Sequence, residues 1–277
     1  MKTENPWLHR YAILVALFAL LAIVTGAIVT SLERPIAVTP AAPAIDPAFE
    51  FWHHMAGGAV VVLMLILALA LRGPLGWIGL GAGILDGVLG AKAITNALPE
   101  LSGILHALLA QTFFGCIVAV AVMASASWKH GTQPIEDTWR PSMRSLAIAV
   151  PAIVLLQTTL GAAYRYRAIG VIWHILDAMI VLLLILIVAV FLIRQFPQHP
   201  TLRPASVALA VITSVQVMLG FTTFMMLILF PETSLAVVIT SVLHVATGAL
   251  TFGAGLALAI LMRYNAVPVN RRSLTEK

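Results

Sequence analysis

Apolar residues along this chain come in long unbroken runs, without the strict alternation of a half-buried strand. Eight such runs are legible: Tyr11–Thr30, Phe51–Leu71, Leu75–Leu98, Leu101–Ser125, Ser145–Ala163, Ile169–Ile193, Ala205–Phe230 and Leu235–Met262. About 20 apolar residues are what a helix needs to cross the hydrocarbon core of a bilayer. Inside that core every backbone amide must be satisfied within its own segment, so each run predicts a transmembrane helix. Continuous Leu/Val/Ala/Ile stretches argue against a barrel of short alternating strands. The first run follows Lys2 and Arg10 as a secretory leader would, but it is too long for one and lacks a cleavage signature, which predicts a retained helix.

The polar breaks organise these spans. A proline- and alanine-rich stretch over 34–49 follows the first run, and Arg72-Gly73-Pro74, Pro99-Glu100 and Pro231-Glu232 read as short turns. The longest polar segment divides the chain into an N-terminal four-helix half (1–127), a connector (128–144) and a C-terminal four-helix half (145–277). Gly79, Gly83 and Gly87 recur every fourth residue, the spacing of a close helix-packing seam. The expected architecture is an all-α polytopic membrane protein whose eight transmembrane helices form two parallel four-helix repeats.

Composition agrees: 61% of residues are hydrophobic and 10% charged, which excludes an ordinary soluble domain. The net charge of +5 is explained by topology. Lys2, Arg10, Arg72, Lys129, Arg140, Arg144, Arg194, Arg203, Arg263, Arg271, Arg272 and Lys277 fall at alternate breaks, and the positive-inside rule then puts both termini in the cytoplasm. Without a basic patch interleaved with aromatics, a nucleic-acid role is excluded. The single Cys116 rules out an internal disulfide, a thiolate cluster and a CxxCH haem attachment.

With that topology His53, His106, His174 and His244 all fall at the outer ends of even-numbered spans. An internal repeat accompanies them. Gly26 precedes His53 as Gln157-x-x-x-Gly161 precedes His174, and Asp86-x-x-x-Gly90 precedes His106 as Gln216-x-x-x-Gly220 precedes His244. Ionisable side chains inside a membrane are functional by default. Two imidazoles from facing helices make a six-coordinate haem, which predicts one site from His53 with His106 and another from His174 with His244. Taken singly, each histidine reads equally well as a hydrogen-bonding group within the bundle.

Other chemistry is more open. Glu50 shares a helix face with both His53 and His54, so spacing does not decide which of them is the ligand, and Phe51-Trp52 also fits an interfacial aromatic belt. Asp86 lies inside a span with Lys92 nearly two turns along. Asp177, three residues after His174, is placed either to orient that histidine or to hydrogen-bond between helices. Gln157 and Gln216 read as interhelical hydrogen-bonding residues. Arg165 and Arg167 sit where haem propionates would emerge, or where interfacial arginines snorkel.

Glu50-Phe51-Trp52-His53-His54, Asp86-Gly87-Val88-Leu89-Gly90, Leu105-His106-Ala107, Gln157-Thr158-Thr159-Leu160-Gly161 with Arg165, and Gln216 to Gly220 followed by Leu243-His244 occur in an order that resembles the haem A synthases. The resemblance covers nearly the whole chain. It favours His53 over His54, because that family opens its second helix with Glu-x-x-His-Arg. His54 stands here for the motif arginine, Asp86 for a common glutamine, and the first outer loop has no cysteine pair.

The resemblance implies an oxidoreductase of the bacterial cytoplasmic membrane that converts the haem o ring methyl to the formyl group of haem a. It places haem o or haem a on His53 and His106, makes Glu50 catalytic, and puts a resident haem b on His174 and His244. Implied partners are a haem o synthase, cytochrome oxidase assembly factors, an electron acceptor and a second copy of the chain. Two other readings stand beside it: a bis-histidine haem b cytochrome serving only electron transfer, and a haem-free assembly or transport scaffold.

Overall fold

Prolines and small polar residues set most of the helix starts. The computed structural model describes residues 6–33, 46–129 and 133–268. In chain order the elements are α1 (Pro6–Glu33), α2 (Pro47–Leu71), α3 (Pro74–Leu89), α4 (Lys92–Ala97), α5 (Pro99–Ala124), α6 (Ala126–Lys129), β1 (Ile135–Asp137), α7 (Met143–Arg165), α8 (Val171–Gln195), α9 (Leu202–Leu229), α10 (Leu235–Asn265) and β2 (Ala266–Pro268). Asp46 caps α2 by accepting from the Ala48 amide at 2.9 Å, with Pro47 at the first helical position and Glu50 in the first turn. That arrangement suits the positive end of the helix dipole.

Seven of these helices (α1, α2, α5, α7, α8, α9 and α10) are long and apolar enough to cross a membrane. The third expected span, Leu75–Leu98, is broken. Helix α3 has 16 residues, or about 24 Å at 1.5 Å per residue. At Gly90 the amide turns back to the Asp86 carbonyl at 3.0 Å, Ala91 is extended, and the short α4 completes the passage to Pro99. Gly87 and Gly90, poor helix formers, weaken the helix at this end, so apolar composition continued where the helix did not.

Helices α1, α2, α3 and α5 pack as a ring in which each touches the next, and α7, α8, α9 and α10 do the same. The two rings meet through α1 with α10, α5 with α10, and α5 with α7. Val15, Met64, Leu67 and Ile117 are fully buried in the first ring, and Ile185, Leu192, Leu209, Leu258 and Met262 in the second. The glycine seam of α3 runs through Gly76, Gly79 and Gly83, which face Ala68, Met64 and Phe113. Gly87 is not part of it, since a Cβ there would meet nothing within 4 Å.

The connector is docked. Strand β1 pairs in parallel with β2, Ile135 opposite Ala266. Trp128 stacks on Tyr264 with ring centroids 3.9 Å apart. The Asp137 carboxylate accepts from the Met143 and Arg144 amides at 3.1 and 2.8 Å, capping α7. His199 completes the anchorage: its Nε2–H donates to the Gln133 carbonyl at 3.1 Å, while its Nδ1 accepts from the Leu202 amide at 3.1 Å. These contacts hold the end of the bundle opposite His53, His106, His174 and His244.

Candidate functional site

Each of the four histidines lies within the first three turns of its helix, and each rests on a glycine of the preceding long helix. A Cβ at Gly26 would stand 2.8 Å from His53 Cε1, and Cβ atoms at Gly90, Gly161 and Gly220 would each stand 2.9 Å from Cε1 of His106, His174 and His244. Any larger residue would occupy space the imidazole fills, so glycine is required there by close approach. The four cradles differ by no more than 0.1 Å in this respect.

A second regularity fixes the rings. Nδ1 of His106 is 3.0 Å from the carbonyl oxygen of Asp86, Nδ1 of His174 is 3.2 Å from that of Gln157, and Nδ1 of His244 is 3.3 Å from that of Gln216. Each carbonyl belongs to the residue four before the cradle glycine. His53 meets the backbone of Ala22, again four before its cradle glycine, and adds a second contact: its Nδ1 is 3.2 Å from Thr25 Oγ1, which donates its own proton to the Ala22 carbonyl at 3.0 Å. A carbonyl, or a hydroxyl whose proton is spent, only accepts. Nδ1 therefore carries the proton in all four, which makes Nε2 the ligating atom; on His174 the Gln157 amide approaches that atom at 3.4 Å.

The rings then face each other in pairs. His53 and His106 have centroids 6.1 Å apart and planes at 85°; His174 and His244 have centroids 6.2 Å apart and planes at 87°. Two imidazoles trans across one first-row metal ion, with metal–nitrogen bonds of about 2 Å, place their centroids about 6 Å apart. Among the described residues no group of three or more His, Cys, Asp or Glu side chains gathers to hold a metal ion. Two protein ligands are too few for a structural zinc site. They are the full protein complement of a haem, whose porphyrin supplies the four equatorial nitrogens. The glycine cradles, the fixed tautomers and the spacing all fit that group.

The geometry separates His53 from His54. His53 is half-buried against α1 and faces His106, whereas His54 is exposed and only its ring edge approaches His53, at 5.9 Å between centroids. Glu50 is half-buried one turn before His53 in the first turn of α2.

The other candidates are distributed differently from expectation. Asp177 is buried on α8, but His174 Nδ1 is taken by the Gln157 carbonyl and Asp177 Oδ2 has no hydrogen-bond partner, so Asp177 does not orient that histidine. Gln157 and Gln216 do tie helices together. Gln157 Nε2 donates to the His174 carbonyl at 3.0 Å and lies 3.4 Å from His174 Nε2, and Gln216 Oε1 accepts from Thr247 Oγ1. Arg165 Nη2 donates to the Thr30 carbonyl at the end of α1, 2.7 Å away, joining the two rings of helices. Arg167 follows in a left-handed turn (φ 61°), and the intervening Tyr166 ring packs flat against Gly103 of α5. The Lys92 side chain lies outside the described residues.

Sequence reasoning located the glycines and histidines but missed Thr25 as a fixing group and the cross-ring role of Arg165 and Tyr166. For Thr25 a signal was present, a hydroxyl residue just before Gly26 where the other three cradles need none.

Fold and site together define a helical protein with spanning helices and two facing imidazole pairs near one end of its bundle. No protein-family model matches the chain, and a search of curated proteins returns no match.

Proposed function

We propose that this chain is a haem A synthase-like oxidoreductase of the bacterial cytoplasmic membrane, with both termini cytoplasmic and its two rings of helices related as parallel repeats. The observation that carries the reading is the matched pair of imidazole sites, each built on glycine cradles and carbonyl or hydroxyl anchors. In this reading His53 and His106 bind the substrate haem o, and His174 and His244 bind a resident haem b. The resident group supplies one-electron chemistry.

Net conversion of the ring methyl to a formyl group is R–CH3 + H2O → R–CHO + 4 H+ + 4 e−, so the reaction needs an electron acceptor outside this chain. The protein's part is positional and electrostatic. His53 and His106 fix the ring plane, and α2 carries Glu50 one turn from His53, where a carboxylate stabilises positive charge developing at the methyl carbon. Low dielectric around the bundle strengthens that interaction. Haem o synthase and cytochrome oxidase assembly factors are the partners such chemistry requires upstream and downstream.

Extraction and chromatography of the haems from protein purified after co-expression with a haem o synthase tests this. Haem a, or a hydroxylated haem o, beside haem b is the expected result, and Glu50→Ala should keep both haems while losing the oxidised product. Haem b alone, unchanged by Glu50→Ala, would replace the enzyme with an electron-carrying cytochrome, the reading that shares the same imidazole geometry. Protein without haem would leave only a scaffold.

A further inference from the structure

The two imidazole pairs match in spacing and cradle but differ in one chemical respect. His106 Nδ1 donates its N–H to the Asp86 carbonyl at 3.0 Å, and the Asp86 carboxylate Oδ1 lies 2.9 Å from the same nitrogen. Oδ1 is buried and accepts no hydrogen bond among the described residues, so its charge faces the His106 ring. In the second ring of helices the residues at this register are Gln157 and Gln216. Neither places a carboxylate beside Nδ1: the Gln157 amide reaches the His174 carbonyl and, at 3.4 Å, its Nε2, Gln216 Oε1 accepts from Thr247, and Nδ1 of His174 and of His244 meets only a backbone carbonyl.

We propose that Asp86 is a positioning residue that polarises His106 and sets the reduction potential of the site on His53 and His106 below that of the site on His174 and His244. The inference rests on the haem reading given above. A carboxylate accepts an imidazole N–H more strongly than a carbonyl or amide oxygen does. The carboxylate 2.9 Å from Nδ1 polarises the N–H that the carbonyl accepts, and electron density moves to Nε2, which makes His106 the stronger donor to iron. A fixed negative charge close to the ring, in a low-dielectric bundle, acts in the same direction by favouring the oxidised, more positive metal. The two effects add on the first site; at the second, Asp177 follows His174 by one turn but His174 Nδ1 is taken by the Gln157 carbonyl, so no carboxylate stands beside that nitrogen. Electrons released at the first site then have a downhill path to the second.

The size follows from the chemistry of such outer partners. Losing one changes metal affinity by about 10–100-fold. If that loss falls on the oxidised form, the potential of a one-electron couple moves by roughly 60–120 mV, at about 59 mV per tenfold.

The test is spectroelectrochemical titration of purified haem-loaded protein, with His244→Ala used to empty the second site so that the remaining wave belongs to the first. In the native sequence two waves are expected. Asp86→Gln, which installs the residue found at the matching register of the second ring, should raise the first-site potential of the His244→Ala protein by 10- to 100-fold in the ratio of oxidised to reduced affinity. Asp86→Asn should do the same with the side-chain length kept. Haem content and the Soret spectrum are read on the same samples. Haem retained with the potential unmoved in both variants overturns the role of Asp86 and leaves the haem reading standing. Failure of the native and His244→Ala proteins to hold haem at all overturns the haem reading and this inference with it.

Discussion

Replacing Gly220 by alanine tests how far the glycine cradle sets the second imidazole site. The new Cβ would stand 2.9 Å from His244 Cε1, while unstrained carbon–carbon contacts lie at about 3.5–4.0 Å. The ring must therefore retreat by about 0.6 Å or more. Its anchor has little slack, since Nδ1 is already 3.3 Å from the Gln216 carbonyl and a further 0.6 Å takes that contact to about 3.9 Å, beyond a hydrogen bond. Metal–ligand distances tolerate only about 0.2 Å. Overpacking of this kind costs about 1–3 kcal/mol, which is roughly 5- to 150-fold in affinity at 1.4 kcal/mol per tenfold. The fold itself should not suffer, because alanine is about 0.8–1.0 kcal/mol better than glycine inside a helix. Gly81→Ala and Gly87→Ala are the matched controls, as a Cβ at either meets nothing within 4 Å. The assay is haem per chain by pyridine haemochromogen, followed by transfer of haem to an excess of a competing apoprotein. Gly220→Ala should lose its second-site haem readily while the controls keep both. Full occupancy with unchanged transfer in Gly220→Ala would refute the cradle argument.

Two further substitutions probe single contacts. Thr25→Val removes the hydroxyl that accepts from His53 Nδ1 and leaves the Ala22 carbonyl; at about 0.5–1.5 kcal/mol for one hydrogen bond, haem at the first site should bind about 2- to 12-fold more weakly by the same transfer assay while the second site is unaffected. Arg165→Ala removes the bond to the Thr30 carbonyl; a hydrogen bond from a charged donor contributes about 1.5–3 kcal/mol, so the melting temperature in detergent should fall by roughly 3–10 °C, and an unchanged value would mean that the two rings of helices do not depend on it.

Helix positions were legible because the bilayer demands long apolar segments, and histidines interrupting such segments stand out against them. The spacing of Asp86 to Gly90, Gln157 to Gly161 and Gln216 to Gly220 was legible as well, because a glycine and an accepting carbonyl one turn apart make a single recess. The limits were local. Composition does not report a turn inside an apolar run, so the end of α3 at Leu89 and the short α4 were read as one span. Adjacent residues share a helix face with Glu50 almost equally, so only packing against Gly26 and Thr25 separates His53 from His54. Pairing of Ile135 with Ala266 joins segments far apart in the chain, and three-residue strands carry no periodic signal. Arg165 was read as lying beyond the span that ends at Ala163, whereas it closes α7 and is half-buried; its Thr30 partner is a backbone carbonyl on another helix, and a carbonyl has no signature in sequence.

Haem stoichiometry tests the central claim most directly. Purified native protein should carry two haems per chain, His53→Ala and His244→Ala should each carry one, and the doubly substituted protein should carry none. A native protein without a Soret band, or a ratio that does not respond to either histidine, would contradict the assignment of the two facing pairs as haem sites.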